Sequence, residues 1–342
     1  MYPTRLTVLV AALSLSARAF AGAGVAGADI LKIPVEARGW GLANAYSAIA
    51  DDVGAMACNP AGLALSGERE VRFTYLKLLE GTSFESLLGS YPLGRWGSVG
   101  VMLVWRQIPT IDNGTLVLGT TKPVDVSDGV TGGFISARFS HLLPSVPFAS
   151  PFSMGIGLKN VSQHIGGLTA SATAVDIGLR ATYDLFRLAL VVQNMGGGIA
   201  FPGTIAQESD AMPQTLHEAI AFVPYEDSSA SLTLAIENAS YVGVSSSQKF
   251  GDEVRTASES LDVFSFGAEY WRLKKMGVRL GYMAPYGKGG KDSYAGAKGL
   301  SVGVSFRVYS RLVAYQVDIA YRPFSIGSDK QDAGTLSLGL RF

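Results

Sequence analysis

In Leu300-Ser-Val-Gly-Val-Ser-Phe-Arg-Val308 the residue type alternates at every step. Leu300, Val302, Val304, Phe306 and Val308 share one face; Ser301, Gly303, Ser305 and Arg307 share the other. A period of two sustained over this length marks an extended strand, whereas a helix repeats every ~3.6 residues. The chain closes the same way: Leu336, Leu338, Leu340 and Phe342 alternate with Ser337, Gly339 and Arg341. Between them, Val313, Tyr315, Val317, Ile319 and Tyr321 oppose Ala314, Gln316, Asp318, Ala320 and Arg322. Working back toward the N-terminus, similar segments run over 70–79, 84–91, 97–106, 130–140, 152–161, 172–181, 185–194, 214–223, 230–240, 261–271 and 277–283. With the three already quoted, that predicts fourteen strands.

Nine to eleven residues at a tilt of ~45° cross a bilayer core, and soluble strands are shorter, commonly about five or six. The second face decides the matter. Its Gly, Ser and Ala are interrupted by Arg106, Lys159, Asp176, Arg180, Glu237, Glu269, Arg279, Arg307, Asp318 and Arg341. Small residues and scattered charges of both signs suit the lumen of a closed barrel, while the apolar face meets lipid. Closure is required because an open sheet edge in hydrocarbon leaves backbone groups unpaired. The competing reading, a secreted soluble β-protein, would put Lys, Glu and Thr on the face that meets water. The expected fold class is therefore all-β: a 14-stranded antiparallel transmembrane β-barrel with an N-terminal, partly helical plug segment.

Composition agrees. The chain has 342 residues, with 28 Lys+Arg against 28 Asp+Glu, only 16% charged residues and 41 glycines. Zero formal charge gives no electrostatic reason to expect nucleic acid as a partner. One Cys and three His exclude a disulfide scaffold and argue against a structural zinc site.

Arg5 followed by the apolar run Leu6–Leu15 and the small residues Ala17, Ala19 and Ala21 reads as a secretory signal over 1–21, cleaved after Ala19 or Ala21. Residues 22–69 are then the N-terminal segment or lumen plug, and 70–342 the barrel. With the chain starting in the periplasm, the inner turns fall near 92–96, 141–151, 182–184, 224–229, 272–276 and 309–312. The outer loops near 107–129, 162–171, 195–213, 241–260, 284–299 and 323–334 are longer, with one exception on each side: a tight first outer loop at 80–83 and the long inner turn at 141–151. That asymmetry and an even strand count place both mature termini in the periplasm. Tyr91, Trp96, Trp105, Tyr270, Trp271, Tyr282, Tyr286, Tyr309, Tyr321 and Phe324 lie near strand ends, where aromatic girdles sit. In the plug, Leu42, Ala45, Tyr46 and Ile49 are spaced as one face of a short helix. Asp51-Asp52 either terminates it or caps a following turn that Asn59-Pro60 ends. Arg38 and the two aspartates are expected to bond to lumen charges.

The stretch from Ile33 through Arg38, Gly39, Gly41, Asp51 and Asp52 to Asn59-Pro60-Ala-Gly62-Leu63 resembles the N-terminal signature of the PorV/PorQ family. Those outer-membrane proteins are similar in fold to the FadL long-chain fatty acid transporters. The Gly-rich LG-x-x-H-R turn that many members carry before the last strand is not matched at Ile326-Gly327-Ser-Asp-Lys-Gln-Asp332. The resemblance implies the outer membrane of a didermic bacterium and one of two activities. A PorV-like chain is a binding, scaffold or shuttle component of type IX secretion. A FadL-like chain takes up hydrophobic molecules through a barrel with a hatch and a lateral opening. The alternation Leu338, Leu340, Phe342 looks like the signal read by the barrel assembly machinery. Expected partners are thus outer-membrane lipid, that machinery during biogenesis, proteins at the outer loops or periplasmic rim, and a hydrophobic ligand. Candidate outer-loop contacts are Ile108, Ile111, Leu116, Leu118 and Phe201.

No enzyme, cofactor or metal is expected. His141, His164 and His217 fall on an inner turn, an outer loop edge and a strand. Asp112, Asp125 and Asp128 share a loop, where a weak cation site is conceivable but ordinary solvated chemistry is the better reading. Asn194-Met-Gly-Gly-Gly198 lacks the strand and helix of a nucleotide-binding turn. A general porin is the weakest reading, since residues 30–68 would obstruct its channel.

Overall fold

The structure, a computed structural model, describes residues 27–78, 81–111, 123–142, 145, 151–202, 210–242, 246–250, 253–257, 261–287, 298–326 and 329–342. The signal segment, Leu116 and Leu118 lie outside them. The strands are β1 (Glu70–Lys77), β2 (Ser83–Pro92), β3 (Ser98–Ile111), β4 (Val124–Arg138), β5 (Phe152–Ile165), β6 (Leu168–Tyr183), β7 (Phe186–Gly196) and β8 (Gln214–Glu226). They continue with β9 (Ala230–Val242), β10 (Ser246–Phe250), β11 (Glu253–Ala257), β12 (Leu261–Arg272), β13 (Met276–Gly287), β14 (Gly299–Tyr309), β15 (Ala314–Ile326) and β16 (Asp329–Arg341). Fourteen of them form a closed antiparallel barrel, and β10–β11 is a separate hairpin in the connection between β9 and β12. The seam is β1 against β16, in register from Glu70 opposite Arg341 to Lys77 opposite Gly334.

Each strand reads as the alternation predicts. On β14, Leu300, Val302, Val304, Phe306 and Val308 are exposed on the outside, while Ser301 and Ser305 are buried in the lumen. Leu336, Leu338 and Leu340 of β16 likewise face outward, and Phe342 beyond the strand is also exposed. An apolar surface running around the barrel is far larger than a monomer in water tolerates, and it is the surface a bilayer covers.

Two expected loops are instead strand. β5 and β6 extend to a two-residue turn at Gly166-Gly167, replacing the loop over 162–171. Both glycines have positive φ, 53° and 92°, the backbone a tight hairpin needs. Similarly, β15 and β16 take in all of 323–334 except residues 327 and 328, so most of that expected loop is strand. The connections over 112–123, 197–213, 243–260 and 288–298 leave one end of the barrel, the long-loop end, which also has the short turns at 78–82, 166–167 and 327–328. The other, the short-turn end, has the remaining turns and the longer 139–151 connection. Phe342 lies at the short-turn end, hydrogen-bonded to Arg69. Gly27, the first described residue, lies at the long-loop end, where its N–H donates to the Ala211 carbonyl. Whether both mature termini share one side turns on residues 22–26, outside the described chain.

Between those ends, residues 27–66 run inside the wall. A short helix at Ala37–Gly41 and another at Ala55–Cys58 are joined by turns, so the expected helix over Leu42–Ile49 does not form. Ala43 and Asn44 take positive φ, 51° and 69°, which no helix continues through. Leu42, Ala45, Tyr46 and Ile49 are nevertheless all buried, because wall surrounds the segment on every side. Of the two roles considered for Asp51-Asp52, the second holds: Asp52 Oδ1 accepts from the Gly54 N–H, at the start of Ala55–Cys58. Asn59 then ends that helix, its side chain accepting from the Ala61 N–H.

Wall glycines admit the segment. A Cβ on Gly155 would sit 2.2 Å from the Pro60 carbonyl carbon, and one on Gly178 2.2 Å from Asn59 Oδ1.

Candidate functional site

The lumen divides into two chemistries. Toward the short-turn end, inner segment and wall are joined through buried charges. Arg38 grips Glu269 with Nε and Nη2 at 2.8 and 2.7 Å, and its Nη1 reaches Asp51 at 2.7 Å and Asp52 at 3.1 Å. Arg279 donates to Glu269 at 2.7 Å and Asp318 at 3.2 Å. Arg72 holds Glu70 at 2.6 Å, Asp52 at 3.2 Å and, more closely, Glu36. Arg341 completes the group against Glu70 at 3.3 Å. Asp318 also accepts from Gln316 at 2.7 Å and from the Ser305 hydroxyl.

Four arginines thus face six carboxylates, two cations short of balance, and one acid shows the deficit most clearly. Glu36 is that acid. Burial pushes its carboxyl up to about 7 despite Arg72, with Asp52 and Asp318 adding to the effect. Asp52 goes the other way: burial alone would raise it, but Arg72 and Arg38 hold it below the usual carboxylate range. Glu36 also accepts from the Gly39 N–H, capping the helix Ala37–Gly41.

The remaining lumen charges are also paired or bonded. Lys159 meets Asp176 at 2.8 Å beside a bulge where β6 and β7 shift register. The Asn194 N–H donates to Asp176, and Lys159 reaches the Asn194 side chain. Arg180 donates to the Ala50 carbonyl. Arg106 Nε donates to Asp128 at 2.7 Å. Arg307 donates to Gln316 and lies over Trp271, 4.9 Å from the ring centroid. Trp271 therefore faces the lumen, a correction to its placement in an outer girdle; Tyr91, Trp96, Tyr286 and Tyr309 are exposed. The Phe324 side chain lies outside the described residues.

Toward the long-loop end, the wall becomes apolar. Leu76, Phe84, Leu88, Met102, Val104, Val130 and Val161 face inward and belong to one buried cluster with Ile30, Ile33 and Val35 of the inner segment. A partly open cavity of about 70 Å³ lies between the inner segment and β7–β9. Leu31–Glu36, Gly39, Asn44, Tyr46, Gly54, Ala57 and Cys58 line one side, and Gln193, Thr215, His217, Glu237 and Tyr241 the other. Glu237 is a hub here. It accepts from the Tyr46 and Ser47 N–H groups at 2.9 Å each, from the Ser47 hydroxyl at 2.7 Å, and from His217 Nδ1 at 2.7 Å.

Within the motif, Gly62 is sterically required, since a Cβ there would lie 2.3 Å from the Ala50 carbonyl oxygen; Gly41 is close-fitting, with a Cβ 3.2 Å from the Gly303 Cα. Gly39 is not, since a Cβ there meets only ordinary contacts. Asn59 donates to the Ser47 carbonyl, and Pro60 packs on Gly155. Of the loop candidates, Ile108 is half-buried beside a register shift in β3, and Phe201 is half-buried. Ile111 is in β3, its side chain outside the described residues. Asp125 and Asp128 occupy opposite faces of β4, Asp112 is outside the described chain, and no cluster of three acidic, His or Cys ligands exists among the described residues.

Glu36, Glu70, Arg72, His217 and Tyr241 were missed by the sequence reading. Glu70 and Arg72 alternate with outward Val71, Phe73 and Tyr75, and that parity was the available signal.

No family model and no curated protein sequence matches the chain. Solved structures do. The CymD monoaromatic hydrocarbon channel aligns over 90% of this chain and 97% of its own, at 10% identity and a TM-score of 0.59. The toluene transporter TbuX of Ralstonia pickettii covers 90% of this chain and 97% of its own at 13% identity and 0.56. A FadL homologue from Pseudomonas aeruginosa covers 95% and 99% at 11% identity and 0.55. The PorV/PorQ likeness of residues 33–63 has no counterpart among these matches. The chain shares the closed-barrel fold of FadL-type outer-membrane proteins.

Proposed function

We propose that this protein is a plugged outer-membrane barrel through which small hydrophobic molecules enter from the long-loop side. The observation that carries the reading is the apolar lumen wall of β1–β5, from Leu76 to Val161, packed on Ile30, Ile33 and Val35 of the inner segment, with a cavity between that segment and β7–β9. Barrel interiors are ordinarily polar, and an apolar interior surface lowers the free energy of an apolar guest. The fold shared with barrels described as hydrocarbon channels supports it. In this reading residues 27–66 are the plug, fixed by Arg38, Asp51, Asp52 and Asn59, and the short turns face the periplasm.

A secretion or surface-assembly role was the first expectation from the motif. It requires an apolar binding surface on the outer loops, and among the described residues its candidates Ile108 and Phe201 are half-buried. The test is uptake of radiolabelled p-xylene by cells with a lipopolysaccharide outer leaflet and no other such barrel. Expression is expected to raise the uptake rate several-fold; unchanged uptake overturns the proposal. Robust liposome swelling with small sugars would overturn the plug.

A further inference from the structure

The cavity is more polar than a bare hydrocarbon needs. Glu237 takes the proton side of His217 Nδ1 while already holding the Tyr46 and Ser47 amides. This places the hydrogen of Nδ1 toward Glu237 and turns Nε2 away from it. Nε2 has no partner among the described residues, and the ring lines the cavity. Tyr241 lines the same cavity, and its hydroxyl too is unpartnered among the described residues. Asn44 adds a third such side chain, held there by its left-handed backbone.

These groups are complementary to one ligand group. A hydroxyl both donates and accepts, so it can bond to His217 Nε2 and to the Tyr241 hydroxyl at the same time. An apolar body beside it would contact Ile33, Val35 and Ala57. At about 70 Å³ the cavity has room for several waters, at ~10–15 Å³ each, but it is smaller than the ~150 Å³ that holds benzene. It therefore suits the polar head of a guest whose ring displaces part of Leu31–Val35.

We propose that the cavity between the inner segment and β7–β9 selects small aromatic or aliphatic molecules carrying one hydroxyl, through His217 and Tyr241. The inference rests on the hydrophobic-uptake reading and narrows its substrate class. Displacing water from His217 and Tyr241 without replacing its bonds is the penalty that rejects the hydroxyl-free analogue.

The probes are p-cresol and p-xylene, which differ by a hydroxyl in place of a methyl. Binding to the purified full chain in detergent is read as protection of Cys58, which lines the cavity, from a thiol reagent. The expectation is about tenfold tighter binding of p-cresol. His217→Phe and Tyr241→Phe should each remove most of that preference while p-xylene binding persists, which also reports that the variants are folded. Equal binding of the two probes, or a preference that survives both substitutions, overturns the selectivity and leaves uptake standing. Failure of both probes to bind or to enter cells overturns the selectivity and the uptake reading together.

Discussion

The two ends of the lumen hold one continuous segment by opposite means. Near the short turns, Arg38, Arg72 and Arg279 tie Glu36, Asp51 and Asp52 to Glu70, Glu269 and Asp318 with directional bonds. Near the long loops, Ile30, Ile33 and Val35 rest on an apolar wall with few directional bonds. Ser86, which donates to the Val35 carbonyl, is one of them. Buried ion pairs tolerate no loss of a partner, since the orphaned charge cannot be rehydrated. Apolar contacts have no such selectivity, and a guest of similar surface can replace them. The same segment is thus anchored at one end and exchangeable at the other.

The most direct way to break this comparison is Arg38→Met. It keeps much of the side-chain volume but strips Glu269, Asp51 and Asp52 of a shared cation. Removing one partner of a buried pair costs about 3–5 kcal/mol. Cys58 reports the outcome: its thiol is half-buried in the anchored part, and burial raises its pKa, so reagents reach it slowly. Labelling should accelerate at least about 100-fold. An unchanged rate would mean the charges are not what anchors the segment.

Gly155→Val attacks the same anchor sterically. Its Cβ would overlap the Pro60 backbone, which cannot move as a flexible side chain can. Overpacking of this kind costs about 1–3 kcal/mol, so a rise in Cys58 labelling of roughly 10–100-fold is expected. Gly39→Ala is the internal control, with ordinary contacts and no expected effect.

How far the sequence carried depended on the range of each interaction. Barrel and face assignments were legible because side-chain alternation is local: Leu300 to Val308 needs no partner to be read. The lumen positions of Arg279 and Asp318 followed from that parity. Their partners did not, because Arg38 meets Glu269 across 231 positions of chain. Gly166-Gly167 is a local hairpin signal too, since both residues take the positive φ that a two-residue turn between β5 and β6 needs. The broken helix after Gly41 was not legible. Apolar spacing assumes one buried face, and a segment enclosed by wall on all sides has no exposed face to set the period.

Acidity tests the anchor more gently. The folded pKa of Glu36, raised to about 7 first by burial, exceeds the unfolded value of 4.5. The proton is therefore bound more tightly in the folded state. Its stabilisation is complete below about pH 4.5 and is lost as pH rises through about 7. The anchored part should open more readily at pH 8 than at pH 5, by roughly 1–3 kcal/mol. Because thiol reactivity itself rises with pH, the measurement is the ratio of Cys58 labelling in wild type to that in Glu36→Gln. That ratio should climb about tenfold or more across the window, and a flat ratio would remove Glu36 from the anchor.

Val130→Ala asks whether the two ends are independent. Val130 is buried on β4, the strand that packs against Asp29–Lys32, in the apolar cluster that includes Ile30. Trimming it removes apolar contact worth about 1–2 kcal/mol without orphaning any polar atom. Backbone hydrogen exchange should quicken over residues 28–35, where that contact is lost. Over residues 50–62, held by Asp52, Asn59 and the wall glycines, it should not change, and Cys58 labelling should stay within about twofold. The asymmetry follows from the bonding: loosening a non-directional contact lets its neighbours settle locally, whereas the charges beyond Glu36 keep their partners. If Val130→Ala released Cys58 as Arg38→Met does, the segment would move as one body, and a guest entering at the long-loop end would have to break the whole charged anchor.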